Sequence, residues 1–176
     1  DGPGIDRLGG AIFERHGRLD VLVGNAASLG TLTPASHLKP ETWDQTLAIN
    51  LTVNWRLIRS MDPLLRQSEA GRALFLTSRA SVSARAYWAA YAASKAGLDA
   101  LVMSWAAELN KTNVKANLID PGRLRTAMRA RAFPGEDPQT LDKPEAIMEA
   151  FVRLALPSWE QNGARLVARE LLAGSS

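Results

Sequence analysis

Tyr91-Ala92-Ala93-Ser94-Lys95 sets a phenol and an ammonium four residues apart. On a helix that spacing turns both side chains to one face, with Cβ atoms roughly 5–6 Å apart. A free tyrosine ionises near ~10 and is a poor proton donor or acceptor at neutral pH. A nearby ammonium favours phenolate over phenol. Such a pair can therefore give a proton to a carbonyl oxygen that receives hydride, or take one from an alcohol. By itself such a pair is more often a surface contact than a site. Ser78, thirteen residues before Tyr91, could offer its hydroxyl to the same oxygen. Asn50 sits among Leu47, Ile49, Leu51 and Val53, where a buried amide needs hydrogen-bond partners.

These residues need elements to hold them. Ile5, Leu8, Ile12 and Phe13 recur at helical spacing, predicting a helix from Ile5 to His16 that stops at Gly17. Leu19–Val23 reads as a buried strand, stopped by Gly24-Asn25-Ala26-Ala27. Pro40 opens a long helix to about Leu65, with Pro63 bending or interrupting its end. Arg72–Ser78 and Val114–Ile119 are two more strands, separated by a helix from Tyr91 to Asn110. Pro144–Leu156 is another helix, and Arg165–Ala168 a short last strand. Strands alternating with helices predict a parallel sheet covered on both faces, a doubly wound α/β fold in a single domain over residues 1–176. Asn25, Ser78 and Pro121-Gly122 then fall at the carboxyl ends of three strands, where open α/β sheets bind ligands.

The bulk numbers narrow the chemistry. Of 176 residues, 46% are hydrophobic, enough for a core. No cysteine is present, which removes disulfides, thiol catalysis and cysteine-ligated zinc. The composition favours a cytoplasmic protein, and no apolar run approaches the ~20 residues of a membrane span. The net charge of +3 comes from 21 basic and 18 acidic residues that are scattered rather than striped. Nucleic acid is not an expected partner. His16 and His37 have no companions at metal-ligand spacing, so no metal site is expected.

Asn25-Ala26-Ala27 after a strand, Asn50-Leu51 in a helix, Ser78, Tyr91-x-x-x-Lys95, and Pro121-Gly122 followed by Thr126 resemble the short-chain dehydrogenase/reductase pattern in order and spacing. The resemblance covers Ile5 to Leu156. It implies a Rossmann-like NAD(P)-dependent oxidoreductase that interconverts an alcohol and a ketone or aldehyde. Tyr91 would be the general acid/base, Lys95 would bind the nicotinamide ribose and lower the tyrosine pKa, and Ser78 would polarise the substrate oxygen. Asn50 would hold a water in the proton relay. Asn25 and Ala26 would support the cofactor ribose, and Pro121, Gly122 and Thr126 would line the nicotinamide. The same family commonly forms dimers or tetramers through the Asn50 and Tyr91 helices. A binding or regulatory protein of the same fold, or an epimerase or dehydratase using Tyr-x-x-x-Lys, is the alternative.

Departures from the pattern set further expectations. The family's opening strand and glycine-rich turn, which cradles a pyrophosphate, are not found; Gly2-Pro3-Gly4 has no strand before it. The segment alone is therefore expected to be inactive, and NAD or NADP preference is not readable. Arg123, Arg125, Arg129 and Arg131 could grip an acidic substrate or the cofactor pyrophosphate, but such a run is more often a solvated helix face. Tyr87 is read as a pocket or packing residue, and Trp43, Trp88 and Trp105 as core or subunit contacts. The pocket is expected from Ser28–Ser36, Ser81–Tyr87 and Arg123–Pro134.

Overall fold

A computed structural model of the protein describes residues 2–83 and 85–174. In chain order the elements are α1 (Gly2–His16), β1 (Val21–Gly24), α2 (Pro40–Leu47), α3 (Val53–Arg66), β2 (Arg72–Leu76), α4 (Ala89–Glu108), β3 (Lys115–Asp120), α5 (Ala127–Ala132), α6 (Met148–Ala155), β4 (Arg165–Val167) and α7 (Ala168–Ala173). The four strands form one parallel sheet in the order β1-β2-β3-β4.

Alternation along β2 and β3 assigns the two faces. Ala73, Phe75, Ala116 and Leu118 pack with Leu22 under α3 and α4, where Met61, Leu65, Leu98 and Val102 fill the space. Ile5 and Ile12 bring α1 onto the same cluster. Leu74 and Ile119 point the other way, against Ile147, Ala150 and Leu154 of the α6 segment and Ala168 of α7. Helices on both faces require strands that are apolar throughout, which is why β2 and β3 lack the alternation of a one-sided sheet. The predicted α/β architecture is the one observed.

Boundaries moved where local chemistry decided them. The first helix starts at Gly2, earlier than its apolar stripe, and ends where Gly17 takes φ +71° and its amide bonds the Phe13 carbonyl at 2.8 Å. Pro63 does not interrupt α3, which runs on to Arg66. The ring sits on the exposed side, where the loss of one backbone donor is cheapest. The break falls instead at Ala48–Thr52, a single π-helical turn between α2 and α3. A π turn inserts one residue into the helical register and frees a carbonyl. Within this turn the Asn54 side chain donates to the Asn50 carbonyl at 2.8 Å.

At the end of β1 the backbone passes so close to its neighbours that Gly24 cannot carry a side chain. A methyl group there would lie 2.4 Å from the Phe75 ring and 2.6 Å from the Asn54 amide oxygen. At the other end of β2, Arg72 is buried and carries no partner acid. Its guanidinium donates to the carbonyls of Gly71, Asn113, Leu156 and Pro157, at 2.7 to 3.2 Å. It ties the starts of β2 and β3 to the end of α6. Burial lowers its pKa.

Candidate active site

The carboxyl ends of β1, β2 and β3 open into a cleft of about 610 Å³. That is the size of a small-molecule site. Asn25, Ser78, Tyr91, Lys95, Pro121, Gly122 and Thr126 all line it. Seven residues picked from three strand ends and one helix therefore converge on one space. Ala26 and Asn50 do not line it: Ala26 is exposed, with Asn25 and Ala27 facing the cleft on either side.

Asn50 is fully buried, and its amide is spent as a strut. Its Nδ2 donates to the Ser28 carbonyl and to Ser94 Oγ, both at 2.9 Å, while its Oδ1 accepts from the Ser28 amide at 2.7 Å. Ser94 Oγ in turn donates to the Tyr91 carbonyl at 2.8 Å. The loop after β1, the π turn and the first turn of α4 are thereby fixed to one another. With both amide hydrogens used, Asn50 could hold a water only through a remaining lone pair.

Tyr91 and Lys95 are both buried, on the inward side of α4. The Lys95 ammonium donates to the Leu76 carbonyl at 2.7 Å and lies 6.0 Å from the centre of the Tyr91 ring. Burial lowers its pKa to about 8, and the Asp99 carboxylate opposes that fall. The Tyr91 phenol moves the other way. Burial raises its pKa, a hydrogen bond with the Ser78 side chain draws it back, and the Asp120 carboxylate raises it again. In this state the phenol is held protonated. The expected lowering by Lys95 is not seen, because the ammonium is turned to a backbone carbonyl rather than to the phenol oxygen.

Behind Ser78 stands a polar network that sequence reasoning missed. Ser78 Oγ accepts from the Ala80 amide at 3.2 Å, capping a short turn over Arg79–Ser81. The Asp99 carboxylate receives Thr77 Oγ1, Ser81 Oγ at 2.6 Å and Arg165 Nε at 3.3 Å. The Arg165 guanidinium also donates to the Ser78 carbonyl at 2.9 Å and to Asp120 Oδ2 at 3.3 Å. One readable signal existed: Tyr91, Lys95 and Asp99 follow each other at four-residue spacing, one stripe of α4. Nothing in the sequence singles out Arg165, which reaches the site only through the pairing of β4 with β3.

The remaining wall is apolar. Trp88 stands edge-on to Tyr91, ring centres 5.8 Å apart, and Phe133 lies 5.7 Å beyond it. Trp88 is thus a cleft residue rather than a core or subunit contact. Trp105 is core, set against Phe75 with its Nε1 donating to Asp62 at 3.0 Å, and Trp43 is half-exposed. Tyr87 points away from the cleft, exposed and at φ +74°, while its carbonyl accepts from the Thr33 amide at 3.1 Å. No residue of Ser81–Tyr87 lines the space among those described, Ala84 lying outside them. Pro144, Ile147, Met148 and Phe151 do, from the segment predicted as the Pro144–Leu156 helix and assigned no part in the pocket.

The arginines are neither a free anion clamp nor a bare solvated face. Arg129 holds Glu136 with two bonds of 2.5 and 2.7 Å. Arg125 donates to the Leu141 carbonyl at 3.1 Å, and Arg131 reaches across to the Gly30 carbonyl at 3.3 Å. Thr126 caps α5, its Oγ1 accepting from the Arg129 amide at 3.1 Å.

A parallel sheet with a Ser/Tyr/Lys cleft at its carboxyl edge defines a class of nucleotide-dependent oxidoreductase folds, and comparison with known proteins agrees. The short chain dehydrogenase family matches residues 2–137, and the chain belongs to that family. It is 38% identical over 148 residues to the uncharacterized oxidoreductase YciK of Escherichia coli K12, covering 84% of this chain and 58% of the relative. It is 30% identical over 177 residues to the D-threitol dehydrogenase of Mycolicibacterium smegmatis, covering 95% and 68%. Among solved structures, a short chain dehydrogenase from Salmonella enterica serovar Typhi superposes with a TM-score of 0.92 at 33% identity, covering 96% of this chain and 70% of that one. A short chain dehydrogenase from E. coli CFT073, solved with NADPH, gives 0.91 at 35%, covering 96% and 70%. The chain thus spans under two thirds of the length of YciK.

The cleft suits the nicotinamide end of such a cofactor. Lys95, the Tyr91 hydroxyl and the Asn25 amide are the donors in the cleft that could hold ribose hydroxyls, and Gly122, at φ +75°, leaves open space where a side chain would otherwise stand. Gly2-Pro3-Gly4 takes no part: it lies within α1, with Gly2 buried against Arg56.

No described helix is long and apolar enough to cross a membrane.

Proposed function

We propose that the protein is an NAD(P)-dependent oxidoreductase that interconverts a ketone or aldehyde and its alcohol, with Tyr91 as general acid/base. The carrying observation is the convergence of Ser78, Tyr91 and Lys95 on one cleft beside Pro121-Gly122. The nicotinamide, when bound, supplies or accepts the hydride. Lys95 and Asn25 would hold its ribose, and Pro121, Gly122 and Thr126 would line the space for its ring. The YciK relative is called an oxidoreductase, and two structural neighbours were solved with NADPH and NADP; these support the same cofactor class here.

In reduction, the Ser78 hydroxyl donates to the carbonyl oxygen and polarises it. The neutral Tyr91 phenol, kept protonated by burial, gives that oxygen its proton as hydride reaches the carbon. Solvent then returns a proton to the Tyr91 phenolate. In oxidation each proton moves in reverse. Apolar walls exclude water from the reacting atoms.

A homodimer or tetramer and a cytoplasmic location belong to the same reading. The half-exposed Trp55 of α3 and Met103 of α4 favour contact with a second copy through these helices. Light scattering on a purified sample tests that.

The activity is tested by following nicotinamide absorbance with ketone and alcohol panels in NADH and NADPH. Tyr91→Phe is expected to lower kcat by ~10²–10⁴ with the cofactor Kd little changed. A Phe variant that turns over at the parent rate refutes the role.

A further inference from the structure

The cleft also carries information about what it accepts, an inference that rests on the oxidoreductase reading above. Each charged side chain facing the cleft is partnered inside the protein. Lys95 donates to the Leu76 carbonyl at 2.7 Å, and Asp120 accepts from the Gly122 amide at 3.0 Å and from Arg165 at 3.3 Å. Arg129 is bound at both ends of its fork to Glu136 and lies 3.6 Å from the centre of the Phe133 ring. A carboxylate or phosphate on a substrate would have to displace one of these partners and strand a charge, an unfavourable exchange in a half-enclosed site. Asp120, close enough to raise the Tyr91 pKa, would also repel it.

The apolar side of the cleft is built, not merely left over. Trp88 meets the Tyr91 ring edge-on, centres 5.8 Å apart, and both line the cleft. Phe133 continues the wall at 5.7 Å. Two guanidiniums brace that ring, Arg129 at 3.6 Å and Arg85 at 4.7 Å. Cation–π contacts of this kind hold an aromatic face in place without filling the cleft. Met128, Met148 and Phe151 complete the surface, and thioethers adapt to varied apolar shapes. The polar groups left to a substrate cluster near the reacting oxygen.

We infer that the substrate is a neutral ketone, or the matching secondary alcohol, bearing a flat apolar substituent such as an aryl ring that packs on Trp88 and Phe133. Hydride goes from the reduced nicotinamide to the carbonyl carbon and the Tyr91 proton to its oxygen, leaving oxidised cofactor and alcohol.

The test compares three compounds with NADPH in the intact protein: ethyl benzoylacetate, its free acid, and ethyl acetoacetate. The neutral aryl ester is expected to exceed its acid in kcat/KM by about tenfold or more. Phe133→Ala and Trp88→Ala should each raise KM for the aryl ester by about tenfold, leave KM for ethyl acetoacetate within about threefold, and change kcat little. Trp88→Phe should restore most of the loss. Equal or better use of the free acid overturns the inference, as do variants that treat both esters alike.

Where none of the three is turned over, the oxidoreductase reading fails for these ketones, and saturation-transfer NMR of ethyl benzoylacetate decides the pocket separately. Binding weakened by Phe133→Ala upholds it. No binding, or binding indifferent to both variants, overturns it.

Discussion

The two ends of the sheet are built differently. At β3 and β4 the strand ends are cross-linked by Arg165, which gathers Asp99, Asp120, Ser81 and the Ser78 carbonyl into one network. At β1, among the described residues, Val21 and Val23 are 38% and 45% exposed, and the cluster under α6 and α7 includes residues of β2, β3 and β4. The candidate site lies where the two regimes meet. Ser78 is held from behind by a partly buried ionic network and Tyr91 by the Asn50–Ser94 strut, while Asn25 and Ala27 line the cleft beside β1. A group that must meet a reacting oxygen within tenths of an ångström needs the first kind of support.

The sharpest way to break that contrast is Arg165→Met. It strands two carboxylates that are 12% and 9% exposed and frees the Ser78 turn. A loss of ~3 kcal/mol in urea unfolding is expected, at the low end for breaking a buried pair because Arg165 is itself 24% exposed. With Asp120 no longer neutralised, the Tyr91 phenol should ionise at higher pH. In a Tyr87→Phe background, Tyr91 is the only tyrosine left to report at 295 nm. An unchanged titration and stability would mean the network is ornamental.

Gly24→Ala probes the one tight point of the β1 end. A methyl group against Phe75 and the Asn54 amide should cost ~2 kcal/mol, read from the same unfolding curves. A neutral outcome would mean that β1 shifts freely even on its packed face.

Lys95 gives a prediction in pH. Its folded pKa of about 8 lies below the ordinary lysine value of 10.5, so between those values the unfolded chain binds more protons. Stability contributed by Lys95 therefore rises as pH increases from about 8 towards 10.5, relative to Lys95→Met. Tyr91 works in the opposite sense only above its ordinary pKa of 10.0, since its raised value favours the folded state until the phenol ionises. Urea unfolding of both proteins at pH 7.5 and 9.5 measures the difference; a parent that loses ground to Lys95→Met at pH 9.5 contradicts the burial argument.

The smallest effects belong to the open flank. Tyr87 adopts a left-handed backbone with its ring in solvent, so Tyr87→Gly should stabilise by about 0.5 kcal/mol or be neutral, strain relief offsetting chain entropy. Val21→Thr and Val23→Thr should each change stability by less than about 0.5 kcal/mol. Losses approaching those at Arg165 would show that the β1 flank is covered in solution and erase the contrast.

The cleft was legible because its residues obey local rules. Strand-stopping Asn25, Ser78 and Pro121-Gly122 lie where apolar runs end, and Tyr91 and Lys95 lie one helical turn apart. Asn50 was recognisable as a buried amide needing partners, but not as a strut, since Ser28 and Ser94 are 22 and 44 residues away. Phe133 fell within the Arg123–Pro134 segment expected at the pocket, whereas Trp88 read as a core or subunit contact because apolar side chains carry no mark of which apolar space they face.

By itself the sequence determined the period of each element, the parallel α/β arrangement, the Ser/Tyr/Lys set and the family. Each follows from spacing within a few residues or from a pattern of such spacings. Tertiary structure alone decided that Arg165 of β4 neutralises Asp99 and Asp120, that Arg129 is occupied by Glu136, and that Lys95 faces a carbonyl rather than the phenol. Those outcomes depend on distances between residues far apart in the chain, set by strand register and helix packing, and on which partner a buried charge finds first.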